Sequence, residues 1–176
     1  MHSENNHMHK NTTADIIRRS KLTIVLLATL FGIVTLINNF TDYTAYAEYI
    51  CRIISMSATE GNDSRRYRAI DSNLFHHRFY WAIITLETIF TLSCLIGTYQ
   101  LYRKLDAPRN EFHEAKKFAI IGLTTAIFAY QMLYATILNE WFDLDYSAQR
   151  NAFDWAQNNI EYMFLGLIYL VAVKDS

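Results

Sequence analysis

The chain has 176 residues, 52% of them hydrophobic, 15% aromatic and 19% charged, with a formal net charge of -1. This composition, with only two cysteines, excludes a disulfide scaffold, a disordered chain and a strongly basic nucleic-acid binder. The mean hydropathy of +0.02 resembles that of a soluble protein only as an average. The apolar residues gather in four blocks of about 20, the length that crosses ~30 Å of hydrocarbon as helix.

Residues 1–20 read as a flexible cytoplasmic tail holding His2, His7 and His9. Such a start either binds metal weakly or is simply disordered. The first block, Leu22 to Phe40, carries no charge. Basic residues precede it and Ala45-Tyr46-Ala47 follows, as around a signal peptide. Its apolar stretch exceeds the usual ~7–15 residues, so a retained spanning helix is expected. Asn39-Phe40-Thr41 and Asn62-Asp63-Ser64 match glycosylation acceptors, which matter only in a eukaryotic secretory setting.

The long loop, residues 41–78, begins with Tyr43, Tyr46, Ala47, Ile50, Ile53 and Ile54 at helical spacing. Thr41 is a candidate cap for that helix. The stripe suits an interfacial helix on the outer membrane surface, or a small helix folded over the bundle. A polar stretch with Arg65, Arg66 and Arg68 follows, and Asp71 or Ser72 is expected to cap the next helix.

The second block, Phe79 to Tyr102, is interrupted by Glu87. The third, Phe118 to Leu138, contains Gln131, and Pro108, the sole proline, lies between them. The fourth, Trp155 to Val173, is the weakest because Asn158, Asn159 and Glu161 occupy its first turns. An acid near the bilayer centre costs roughly 2.5–3.5 kcal/mol, which several Leu or Ile offset. With no period-2 alternation, the fold class expected is all-α: a single membrane domain over residues 21–176, a four-helix transmembrane bundle with an outer-side interfacial helix. Cys51 and Cys94 should lie at different depths, so no disulfide is expected between them.

Lys and Arg number ten in the N-terminal segment, second loop and C-terminal tail, against six in the first and third loops. This predicts cytoplasmic N- and C-termini. Small residues four apart, Ala28/Gly32, Ser93/Gly97 and Gly122/Ala126, let helix backbones approach closely, with Gly166 in the fourth block. The second and third spanning helices should pack as a tight hairpin. Ala28, Gly32, Thr35 and Asn39 share a face that should look into the bundle.

Glu87, Gln131 and Glu161 fall at a common depth of roughly 10 Å below the outer boundary, counted at 1.5 Å per residue. Asn39, His76, His77, Glu140, Asn158 and Asn159 sit nearer the surface. Intramembrane ionisable residues are functional candidates because a lone charge there is costly. Four readings compete: a hydrogen-bonded network fixing helix register, an outward pocket or proton/ion pathway lined by Glu87 and Glu161, a haem, quinone or metal site using His76 or His77, and an interface to another membrane subunit. No esterase, zinc-protease, phosphate-loop or Cys-x-x-Cys motif is present, so no catalytic residue and no cofactor are predicted.

Several stretches resemble a bacterial family of predicted small integral membrane proteins, a domain of unknown function. They are Asn38-Asn39-Phe40-Thr41-Asp42-Tyr43, Met56, Arg68-Ala69-Ile70, His76-His77, Glu87, Glu111-Phe112 with Ala115-Lys116, and Glu140-Trp141-Phe142, in order over residues ~20–173. The resemblance implies a four-helix membrane protein of this size and brings no activity. It points to Asn39, Asp42, Arg68, His76, His77, Glu87, Glu140 and Trp141 as family features. The function expected is a non-enzymatic accessory or scaffold subunit of the bacterial inner membrane with an outer-leaflet polar pocket. A small proton- or ion-coupled transporter, and a quinone- or haem-binding anchor, are the alternatives. Its expected partners are the lipid bilayer and a homo-oligomer or larger membrane complex, with no nucleic acid.

Overall fold

The computed structural model describes residues 12–59, 61 and 63–175. His2, His7, His9, Lys10 and Asn62 lie outside the described residues. The described chain is helical and contains no strand; one isolated bridge joins Thr59 to Ser147.

Helix α1, Thr13–Thr41, opens on a reciprocal cap. The Thr12 hydroxyl accepts from the Asp15 amide at 3.3 Å, and the Asp15 carboxylate accepts from the Thr12 amide at 2.9 Å. Residues 13–20 are therefore helix, not tail: a cap outside the apolar block starts the helix early. Helix α2, Tyr43–Ile54, follows with Asp42 at its start and no side-chain cap; the Thr41 hydroxyl donates to the Ile37 carbonyl instead. Helix α3, Asn73–Arg103, is capped by Ser72, whose hydroxyl accepts from the Phe75 amide at 3.4 Å. Pro108 opens the short helix α4, Arg109–Glu114, where its missing N–H costs nothing. Helix α5, Lys117–Ala129, continues without interruption into a π-helical segment, Tyr130–Trp141. Helix α6, Asn151–Ala172, closes the chain.

Among the described residues, three helical stretches are long and apolar enough to cross a membrane: Thr13–Thr41, Asn73–Arg103 and Arg109–Trp141. Helix α6 is not one of them, because Asn158, Asn159 and Glu161 dilute its first turns. It nevertheless packs along α5, the π segment and α1. Large apolar side chains point away from the protein on α1 (Leu27, Leu30, Ile37), α3 (Leu92, Leu95) and α6 (Leu165, Val171). Outward apolar faces on several helices are what lipid requires and water disfavours.

Helix α3 runs between α1 and α5. A Cβ on Gly97 would lie 2.5 Å from the Ala119 amide nitrogen, and one on Gly122 2.5 Å from the Cys94 sulfur and 2.8 Å from its amide nitrogen. These backbones approach as closely as small residues allow. Ser93 is only half-buried, and its neighbour Cys94 takes the contact with Gly122. Gly32 sits against Phe90 and Thr91, Gly166 against Ile24, and Ala28 and Ala126 are fully buried. Both Cys51 and Cys94 are free thiols.

Helix α2 turns its apolar stripe inward. Ala47, Ile50, Ile53 and Ile54 are buried with Tyr80, Ile83, Ile84, Leu133, Leu138 and Phe142. The stripe therefore packs on the bundle, the second of the two arrangements its spacing allowed.

At the opposite end, the start of α1, the α3–α4 loop and the C-terminal residues meet. Lys21 Nζ donates to Asp175 at 2.6 Å, and Lys116 Nζ pairs with the other carboxylate oxygen. Arg18 donates to the carbonyls of Leu105 at 3.0 Å and Ala107 at 2.7 Å, and its guanidinium lies 5.0 Å from the Phe112 ring centre. Asp175, Lys21 and Lys116 are all buried. Burial alone would raise the Asp175 pKa, but hydrogen bonds and charge from Lys116 and Lys21 outweigh it, holding the carboxyl below its usual range.

Candidate functional site: a cavity with an acidic floor

The face of α3 that carries Glu87 also carries Tyr80, Ile84, Thr91 and Cys94, at the i, i+3, i+4, i+7 spacing that lines one side of a helix. All five are buried. Asn39, from the last turn of α1, reaches across. Its Nδ2 donates to Glu87 Oε2 at 2.5 Å, and its Oδ1 accepts from the Tyr80 hydroxyl at 3.0 Å. The Tyr130 hydroxyl is buried beside Glu87 without a well-aligned hydrogen-bond partner.

Above this network lies a cavity of about 470 Å³, between α1, α2, α3, the π segment and α6. That is the size range of small-molecule sites, which are largely apolar with a few placed polar groups. Asn39, Tyr80 and Glu87 line its interior, with exposed Asn38, Tyr46 and Asn151 at its edge. The Tyr49 hydroxyl donates to the Gln149 carbonyl at 2.9 Å, tying α2 to the loop before α6.

The other candidate residues are dispersed. Asp42 is exposed at the α1–α2 junction. His76 is buried, with Nε2 2.6 Å from the Ile70 carbonyl oxygen, while the exposed His77 bonds through Nδ1 to the Tyr43 hydroxyl at 2.9 Å. Arg68 lies over the Trp141 ring, 4.8 Å from its centre, and donates to the Glu140 and Trp141 carbonyls at 3.4 Å. Among the described residues, no three His, Cys, Asp or Glu cluster as a metal site would require.

The profile of the DUF2165 family, described as predicted small integral membrane proteins, matches residues 17–173. The chain belongs to this family. No curated protein and no solved structure matches it.

In this DUF2165 member Glu87, Gln131 and Glu161 do not converge on one site. Gln131 and Glu161 are exposed and neither lines the cavity. Counting residues along a helix does not set the direction in which a side chain points. Gln131 falls in the π segment, whose i→i+5 bonding turns successive side chains by less than an α-helix does. That geometry brings Tyr130 and Tyr134 together, with ring centres 5.9 Å apart; Gln131, one position after the buried Tyr130, turns outward. Glu161 is two residues from the buried Met163, about 200° around the helix at ~3.6 residues per turn. Glu140 and Asn158 are also exposed and outside the cavity.

Sequence reasoning missed the aromatic lining: Phe31, Tyr46, Tyr49, Tyr134 and Trp155. The signal available was Tyr80, which shares the Glu87 face seven positions earlier. Buried asparagine is a poor glycan acceptor, so Asn39 belongs to the protein interior.

Proposed function

We propose that this protein is a non-enzymatic membrane subunit that crosses the bilayer four times and binds a ligand in the outer half of its bundle. The observation that carries this reading is the Glu87-floored cavity. Helix α6 supplies the fourth crossing: its last three turns are apolar, and its end meets Lys21 and Lys116 through Asp175. That contact supports both termini sharing one side, and the excess of Lys and Arg there supports the cytoplasmic side of a bacterial inner membrane. The outward apolar faces leave room for lipid, for a second copy or for a larger membrane complex.

A carboxylate-pair transport pathway is disfavoured, since Glu161 lies outside the cavity. A haem or quinone anchor is disfavoured as well, since neither His76 nor His77 lines the cavity.

The test is thiol labelling in intact cells with a membrane-impermeant maleimide, in a Cys51→Ser background. Tyr46→Cys at the cavity edge should label from outside, and Asn110→Cys at the opposite end only after the membrane is opened. The reverse pattern would reject the topology.

A further inference from the structure

The cavity walls are aromatic, with Phe31, Tyr46, Tyr49, Tyr80, Tyr134 and Trp155 all lining it. The Trp155 ring centre stands 6.0 Å from Phe31 and 5.8 Å from Tyr134, so three rings form one continuous surface. Glu87 is 1% exposed and borders the same space. No described Lys, Arg or His pairs with it, and no lining residue is basic.

A buried carboxylate without a counter-charge is costly, and the faces of aromatic rings are electronegative. An anion entering this cavity would meet repulsion from both. A neutral ligand would leave the carboxylate uncompensated. The geometry points to an alkylammonium ligand, with Glu87 as its counter-ion and the aromatic walls around its alkyl substituents. The volume of about 470 Å³ suits an organic cation, and the donor set beside Glu87 is too sparse for a metal. Two sources share this chemistry. A free amine would enter from the outer face. An aminophospholipid headgroup would enter laterally, where α1 contributes Val34 and Asn38 to the cavity and α6 contributes Asn151 and Trp155.

This inference rests on the binding role proposed above, and the test separates the two. Full-length protein in dodecylmaltoside is titrated by calorimetry with choline and with 3,3-dimethyl-1-butanol, its neutral isostere. Wild type should bind choline about tenfold more tightly than the alcohol, and Glu87→Gln should erase that preference. Trp155→Leu keeps the acid and removes one ring; it should weaken choline more than the alcohol, which provides the test if Glu87→Gln does not fold. Native mass spectrometry assigns the source: phosphatidylethanolamine retained over phosphatidylglycerol by wild type but not Glu87→Gln indicates the headgroup, and choline binding without lipid retention indicates a free amine. Equal affinity for the two isosteres would overturn the cation assignment while leaving a binding cavity. Absence of binding by either isostere, with no retained aminolipid, would overturn both.

Discussion

Asn39 hydrogen-bonds Glu87 across the α1–α3 interface, donating through Nδ2 at 2.5 Å while its other amide atom accepts from Tyr80. One side chain thus fixes the acid and a cavity-lining ring at once, and couples the register of two apolar helices. The amide is well matched to this task, since it donates and accepts in a plane.

Asn39→Leu keeps the branched side-chain shape and removes both bonds. It should destabilise the protein by about 1–3 kcal/mol, because Glu87 and Tyr80 lose a buried partner. The double change Asn39→Leu/Glu87→Leu should recover part of that loss, since no carboxyl is then left unsatisfied. Thermal melts in detergent read both effects; additive losses would mean that the contact is incidental.

The Gly97 and Gly122 contacts predict a graded response. Gly97→Ala places a methyl 2.5 Å from backbone of α5, which cannot yield without moving the helix, and should cost about 1–3 kcal/mol. Gly166→Ala meets only the Ile24 side chain at 3.0 Å and should cost less. Melting temperatures of the two variants check the order.

Asp175 gives the pH dependence. Its folded pKa lies below the unfolded value, so its contribution is complete above an unfolded value of roughly 4 and disappears as pH falls through the lower folded value. Unfolding followed across that acid range should show wild type losing stability and Asp175→Asn losing less. At neutral pH, Asp175→Asn should cost about 3–5 kcal/mol, because Lys21 and Lys116 remain buried without their anion.

Much of the architecture was legible because it follows from local rules. Ser72 caps α3 as its position predicts, and Gly97 and Gly122 mark the tight α3–α5 approach. The α2 stripe was readable, but what it covers was not, since lipid and protein accept the same apolar face. Glu87 and Asn39 were found by depth and face together. Gln131 and Glu161 were misplaced because depth was used without azimuth, and the π segment has no single-residue signature. The Lys21–Asp175 pair joins residues 154 positions apart, a separation that no local pattern encodes.

The proposed cavity connects Glu87 to the outer aqueous face. Glu87→Cys in the Cys51→Ser background, treated in intact cells with an impermeant methanethiosulfonate, measures this directly, since Cys94 is buried against Gly122. Modification from outside is expected, slowed when Ala152→Trp fills the cavity. Modification only after the membrane is opened or the protein is unfolded would contradict it.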